Sequence, residues 1–326
     1  MVASLLITPW HWGGLAALIV GFLVLDLRVV HRRGREVGMP VALGWTGFCA
    51  ALALGFGLLL WWGGGRRPAM EFYTGYFLEL SLSLDNILVI VLIFRAFRIP
   101  ETLQHRVLFW GLAGALTLRG SLIFLGVALV NRFDWLLYLL GALLLGTGVK
   151  MFWSRESAPD PEHGFLVRCA RRWLPLTKEL DGERFVTRSA GRWSLTPLFL
   201  ALLLVESADL VFALDSVPAI FGVTRQPFIV FASNIFAILG LRSLYSVLAG
   251  ALDYFRFLKP ACALLLTFVG VKLLLDPHTE TARWWQVEIP NGVSLLVVVG
   301  VLVAAVLASW ALPARGGGGA DGGRRG

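Results

Sequence analysis

Five acidic residues stand inside long apolar stretches: Glu79 and Asp85 in one, and Glu206, Asp209 and Asp215 in another. In hydrocarbon each charged group costs roughly 2.5 to 3.5 kcal/mol at the bilayer centre, so five unpaired acids would cancel the stability of an ordinary domain. They therefore need partners. Arg119 and Arg242 also lie within apolar stretches and offer structural counter-charge, gating or coupling, but two cations leave an excess of negative charge. That surplus suits a bound cation or protons. The nearby donors are all oxygens: the carboxylates, the Asn86 amide, and the hydroxyls of Ser81, Ser83, Ser207 and Ser216. Hard oxygen donors suit Mn2+, Mg2+ or Ca2+ rather than Cu+ or Zn2+, and chemistry alone does not separate the three. Asn234 and Thr117 either complete such a shell or join helices by hydrogen bonds.

Other chemistries find little support. Cys49, Cys169 and Cys262 are isolated, which gives no disulfide framework and no CxxC site. His11, His31, His105, His163 and His278 lack the spacing of paired metal ligands. No Walker A motif is present, and no nucleophile and base can be paired, so the reading is not an enzyme and carries no tightly bound cofactor. The net charge of +8 reflects basic residues of the kind that collect in cytoplasmic loops, not a nucleic-acid surface.

The elements that must hold these acids are membrane helices. Of 326 residues, 57% are hydrophobic and 15% charged, against about 45 to 50% and about 25% for a soluble domain. Apolar stretches long enough to cross a ~30 Å hydrocarbon core fall near 9–27, 40–62, 71–94, 107–130, 134–153, 195–221, 228–249, 258–275 and 292–312. The first lacks the positive flank and cleavage site of a signal peptide and is kept as a span. With the N-terminus outside and the C-terminus inside, the cytoplasmic segments hold twenty of the 29 Lys and Arg, eight of them in 154–193, and the outer loops hold five: Arg66, Arg67, Arg132, Arg225 and Arg283. The positive-inside rule selects that orientation. The expected fold is all-α and polytopic, with about nine spans. It divides into two N-terminal helices (1–70), a helix triplet (71–153), a cytoplasmic loop (154–193), a second triplet (194–276), and a last helix with a disordered Gly-rich tail, Gly316–Gly326 (277–326). The 154–193 loop, with Phe165, Leu166 and Trp173, reads as a solvated connector with room for an amphipathic surface helix, and a regulatory role is the alternative.

The two triplets carry the same punctuation in the same order. Ser83-Leu84-Asp85-Asn86, Leu118-Arg119-Gly120-Ser121 and Gly148-Val149-Lys150 match Ala213-Leu214-Asp215-Ser216, Leu241-Arg242-Ser243 and Gly270-Val271-Lys272. The upstream acid recurs too, with Glu79 six residues before Asp85 and Asp209 six before Asp215. Three spans per unit invert the second copy, a common transporter plan whose site lies near the midplane. Asp85 and Asp215 are then the foremost candidates, and Lys150 and Lys272 are expected to snorkel at opposite faces. In an unbroken helix Glu79, Ser83 and Asn86 share a face while Asp85 points about 120° away. Either the acids face two neighbours or a helix is interrupted, as Pro218 would allow by freeing the Leu214 carbonyl.

The runs Glu79-Leu-Ser-Leu-Ser-Leu-Asp85-Asn86, Glu206-Ser-Ala-Asp209-Leu-Val-Phe-Ala-Leu-Asp215-Ser-Val-Pro218 and Ser233-Asn234-Ile-Phe-Ala-Ile-Leu-Gly-Leu-Arg242 together resemble the TerC family of membrane proteins, over about residues 5 to 310. The first run lacks a proline matching Pro218. The resemblance implies manganese export across the bacterial cytoplasmic membrane, a historical link to tellurium resistance, and kinship with the LysE-like transporters built from two three-helix repeats. It carries ion handling onto Glu79, Asp85, Asn86, Glu206, Asp209, Asp215 and Ser216. It also implies, for plastid relatives, a role as membrane scaffold or insertion partner. Export of tellurite would need cationic sites, against which the acids argue. The expected partners are the divalent ion and the lipid bilayer, with no nucleic acid.

Overall fold

The computed structural model describes residues 8–31, 39–153, 167–168, 172–173, 175–177, 180–189, 192–249, 257–275, 286–287 and 289–311. The Gly316–Gly326 tail, Arg283, Phe165, Leu166 and the Arg242 side chain lie outside the described residues. Among the described residues nine long helices follow in order: α1 (Pro9–His31), α2 (Met39–Gly64), α3 (Arg66–Ala96), α4 (Glu101–Arg132), α5 (Trp135–Trp153), α6 (Pro197–Phe221), α7 (Pro227–Ala249), α8 (Leu258–Leu275) and α9 (Asn291–Ala311). Among the described residues seven of them, all but α1 and α7, are long and apolar enough to cross a membrane. The protein is a polytopic all-α membrane protein. Helices are what such sequences must form, because hydrocarbon offers the backbone no other partner for its N–H and C=O groups.

Local chemistry sets the helix ends. A single residue, Gly65, joins α2 to α3 with φ of 85°, a left-handed conformation that side-chain-bearing residues rarely adopt. Pro197 stands at the start of α6, where its missing N–H costs nothing. Pro218 lies in the last turn of α6, which runs unbroken to Phe221. The acids are thus divided between neighbours by helix rotation, not by a broken span.

The helices at matching positions of the two triplets touch one another: α3 with α6, α4 with α7, and α5 with α8. The remaining contacts between triplets come in reciprocal pairs, α3 on α7 with α4 on α6, and α3 on α8 with α5 on α6. Around this centre, α2 leans on α3 and α7, and α9 leans on α3 and α8. The Gly-Val-Lys motifs explain the closest contact. A side chain at Gly148 would meet the Thr267 backbone nitrogen at 2.7 Å, and one at Gly270 would meet the Leu145 nitrogen at 2.6 Å. Small residues allow backbones to approach in this way without a hydrophobic force between helices. Gly270→Ala is therefore expected to destabilise the fold by about 1 to 3 kcal/mol, since backbone atoms cannot step aside. Thermal unfolding in detergent checks this, and an unchanged midpoint refutes it.

The lysines of the same motif part company. Lys150 is exposed, whereas Lys272 is 1% exposed, with Nζ donating to Ser294 Oγ at 2.9 Å and Asn291 Oδ1 at 3.3 Å. Snorkelling fails for Lys272 because α9 packs over the end of α8 and brings two acceptors.

The loop between the triplets also departs from expectation. Its described part contains an antiparallel hairpin, β1 (Val186–Ser189) paired with β2 (Arg192–Leu195), with Val186 opposite Leu195. Val167, Leu176, Leu180 and Phe185 pack into the core formed by the end of α3, the start of α4 and α6, and the end of α7. Arg106 of α4 holds it from the side, pairing with Glu183 at 2.6 Å and lying over the Phe185 ring. This segment caps one end of the bundle rather than floating as a connector.

Candidate functional site

At the centre of the bundle one arginine lies between two carboxylates. Arg119 of α4 and Glu79 of α3 are each 2% exposed, and Asp209 of α6 is nearly as buried. The guanidinium gives Nε to both Asp209 oxygens at 3.2 and 3.1 Å and Nη2 to Oδ1 at 2.6 Å. Its Nη1 pairs with Glu79 and reaches Ser216 Oγ at 3.4 Å. Asn86 Nδ2 donates to Asp209 Oδ1 at 2.9 Å. Glu79 and Asp209 each stand six residues before an aspartate of their own triplet, Asp85 and Asp215, so one arginine faces an acid from each half, and the formal charge of the three groups is −1.

Helix periodicity decides who joins. On α3, Glu79, Ser83 and Asn86 are buried on one face, and on α6 the seven-residue step from Asp209 to Ser216 places both beside Arg119. Asp85 and Asp215 turn away from this centre. Asp85 lies beside the Cys262 thiol of α8, and that thiol donates to the Ser81 carbonyl at 3.3 Å. Asp215 lies beside Thr147 of α5. Each goes to the third helix of the opposite triplet. Glu206, one turn before Asp209, presses its carboxylate against Gly114 of α4, where a side chain would collide with it. Glu206 Oε2 has no hydrogen-bond partner among the described residues.

The structure therefore gathers Glu79, Asn86, Asp209, Ser216 and Arg119, sets Glu206 next to them, and holds Asp85 and Asp215 apart. Among the described residues no three or more His, Cys, Asp or Glu side chains are grouped closely enough to hold a metal ion by themselves. Thr117 and Ser207 bond carbonyls of their own helices, at Ala113 and Leu203. Beside the centre is a pocket of about 20 Å3, room for roughly one water-sized body. Asn86 and Asp209 form its polar wall, and Gly111, Ala115, Val205 and Ile238 its apolar one. Asn86 Oδ1 has no hydrogen-bond partner among the described residues.

A second buried polar group lies at the other end of α3, away from the hairpin. Glu71 accepts from Thr224 Oγ1 at 2.6 Å, Arg67 Nε at 3.0 Å and Asn291 Nδ2 at 3.1 Å, and Asn291 in turn accepts from Lys272. Sequence reasoning passed over Glu71 because it stands at a span boundary, where an acid normally faces water. The signal available was the polar pair Asn291 and Ser294, three residues apart at the start of the last span.

The profile of the integral membrane protein TerC family matches residues 65–316. The chain is 50% identical over 302 residues to an uncharacterized membrane protein, STKORF319, of Myxococcus xanthus, covering 93% of this chain and 92% of that one. It is 42% identical over 313 residues to a protein of Escherichia coli strain K12 named as a membrane-bound redox modulator, Alx, covering 93% of this chain and 95% of the other. An uncharacterized membrane protein of Rickettsia bellii is 37% identical over 292 residues, 90% of this chain and 94% of that one. No solved structure matches the chain at a significant level. With the profile running from the start of α3 to beyond α9, and relatives aligned over nearly their whole lengths, the chain belongs to the integral membrane protein TerC family.

Proposed function

We propose that this protein is a secondary transporter that exports a divalent cation, foremost Mn2+, from the cytoplasm across the bacterial cytoplasmic membrane, with protons as the exchanged ion. One observation carries the reading: acids from matching positions of two helix triplets meet at a single arginine deep in the bundle, beside a pocket of about 20 Å3 walled by Asp209 and Asn86. The reciprocal helix contacts support two inverted repeats, the arrangement in which such a site lies near the midplane. The oxygen donors at the centre, Glu79, Asn86, Asp209 and Ser216, suit a hard cation. Asp85 and Asp215, set apart against the third helices, are suited to carry protons rather than the ion. Nine spans with the N-terminus outside put the hairpin end of the bundle in the cytoplasm.

Everted membrane vesicles test this. Uptake of 54Mn2+ driven by an imposed pH gradient is expected for the wild type, and Asp85→Asn and Asp215→Asn are expected to lower gradient-driven uptake by about tenfold while Mn2+ binding persists. Absence of Mn2+ flux in the wild type refutes transport. A second reading is a membrane scaffold without transport, favoured by the docked hairpin segment, whose exposed Trp193 offers a partner surface. Stable protein partners isolated with a chain that moves no metal would establish that alternative.

A further inference from the structure

Within the transport reading, which this inference deepens, we propose that Arg119 is a built-in competitor for the transported cation and that it has two seats. It holds Asp209 when the ion is away, and it moves one helical turn to Glu206 when the ion arrives.

The first seat is the observed one, where the guanidinium takes both oxygens of Asp209. Asp209 Oδ1 already accepts from Asn86, from Arg119 Nε and from Arg119 Nη2. A divalent cation cannot add to that oxygen while the guanidinium stays, because the two positive charges would sit within a few ångströms in a low-dielectric interior. An arginine in a protein does not give up its proton. Its charge leaves the site only if the side chain moves.

The residues of the second seat stand beside the first. Long side chains on a helix lean toward its N-terminus, and on α4 that direction runs from Arg119 over Ala115 toward Gly114 and Gly111. These small residues leave space there: Gly111 and Ala115 line the pocket, and Glu206 fills the volume a side chain at Gly114 would take. α4 and α6 both begin at the hairpin end, so moving toward the N-terminus of α4 is also moving from Asp209 to Glu206 on α6. Two acceptors without hydrogen-bond partners among the described residues wait along that path, Glu206 Oε2 and Asn86 Oδ1, and Asn86 is itself 2% exposed. A displaced guanidinium has only donors, so it satisfies acceptors that the observed arrangement leaves open. Glu206 is then the residue that receives the arginine, not a ligand of the ion.

A double-mutant cycle on the full-length chain purified in detergent separates the roles, with equilibrium Mn2+ binding as the readout. Arg119→Gln removes the competitor and is expected to tighten Mn2+ binding about tenfold, Glu206→Gln removes the second seat and is expected to weaken it about tenfold, and the double variant is expected to bind like Arg119→Gln alone. Arg119→Lys keeps the charge without the fork. It is expected to bind Mn2+ more tightly than the wild type and less tightly than Arg119→Gln, and it carries the test if Arg119→Gln does not fold. The inference is overturned if removing the guanidinium fork weakens binding or leaves it unchanged, or if Glu206→Gln costs as much with Arg119 absent as with it present. A wild type that binds no Mn2+ defeats the transport reading itself, a result distinct from either.

Discussion

Asp209→Asn is expected to abolish the proposed Mn2+ export while the protein still folds. Asp209 is the carboxylate that Arg119, Asn86 and the pocket all share. A unit charge at about 4 Å contributes roughly 4 kcal/mol at the effective dielectric of about 20 that describes buried protein sites, equivalent to about a thousandfold in ion binding. The asparagine keeps the shape and one acceptor oxygen, so Asn86 and Arg119 each retain a partner and the bundle is not hollowed out. Arg119 also keeps Glu79, which limits the stability cost of leaving a charge behind. The measurement is 54Mn2+ uptake into everted vesicles, normalised to folded protein by size-exclusion profile. Uptake within a few-fold of the wild type would remove Asp209 from the ion path.

Glu71→Ala should do the reverse, weakening the fold while leaving the proposed transport per folded molecule near normal. Glu71 is 5% exposed and is the acceptor for Thr224, Asn291 and Arg67, in a network that reaches Lys272. Two of those donors, buried Thr224 Oγ1 and half-buried Asn291 Nδ2, would lose their acceptor, at about 1 to 3 kcal/mol each. The Arg67 pair adds little, since Arg67 is mostly exposed. A loss of about 3 to 5 kcal/mol is expected, read as a lower unfolding midpoint in detergent. Glu71→Gln retains an acceptor oxygen and should cost less than half as much. Equal losses for both variants would show that burial of the charge, not acceptance of these hydrogen bonds, sets the stability of this end. Because the network joins α3 and the α6–α7 turn to α8 and α9, the same measurement reports how firmly the bundle is closed opposite the hairpin.

What the sequence determined by itself was the class of molecule and the position of its helices. Apolar runs read as 134–153, 195–221 and 258–275 became α5 (Trp135–Trp153), α6 (Pro197–Phe221) and α8 (Leu258–Leu275). That legibility is physical, because in hydrocarbon each segment must satisfy its own backbone and so the length of an apolar run nearly fixes the helix. The same periodicity placed Glu79, Ser83 and Asn86 on one buried face. It also turned Asp85 away from them, which the structure shows as its contact with α8.

Tertiary structure alone decided which acids meet. Asp85 and Asp215 looked foremost because the repeat aligns them, yet Glu79 and Asp209 are the pair that shares Arg119, and the other two face α8 and α5. Rotation of one helix against another is set by contacts distant in the chain, such as Gly148 against Thr267 and Gly270 against Leu145, and no local pattern encodes it. Lys272 and Glu71 follow the same logic, since only the placement of α9 over α8 and α3 converts span-end charges into buried ones. The β1–β2 hairpin escaped notice for a simpler reason: strands of four residues, in a loop rich in both charge signs, are shorter than any periodicity can reveal.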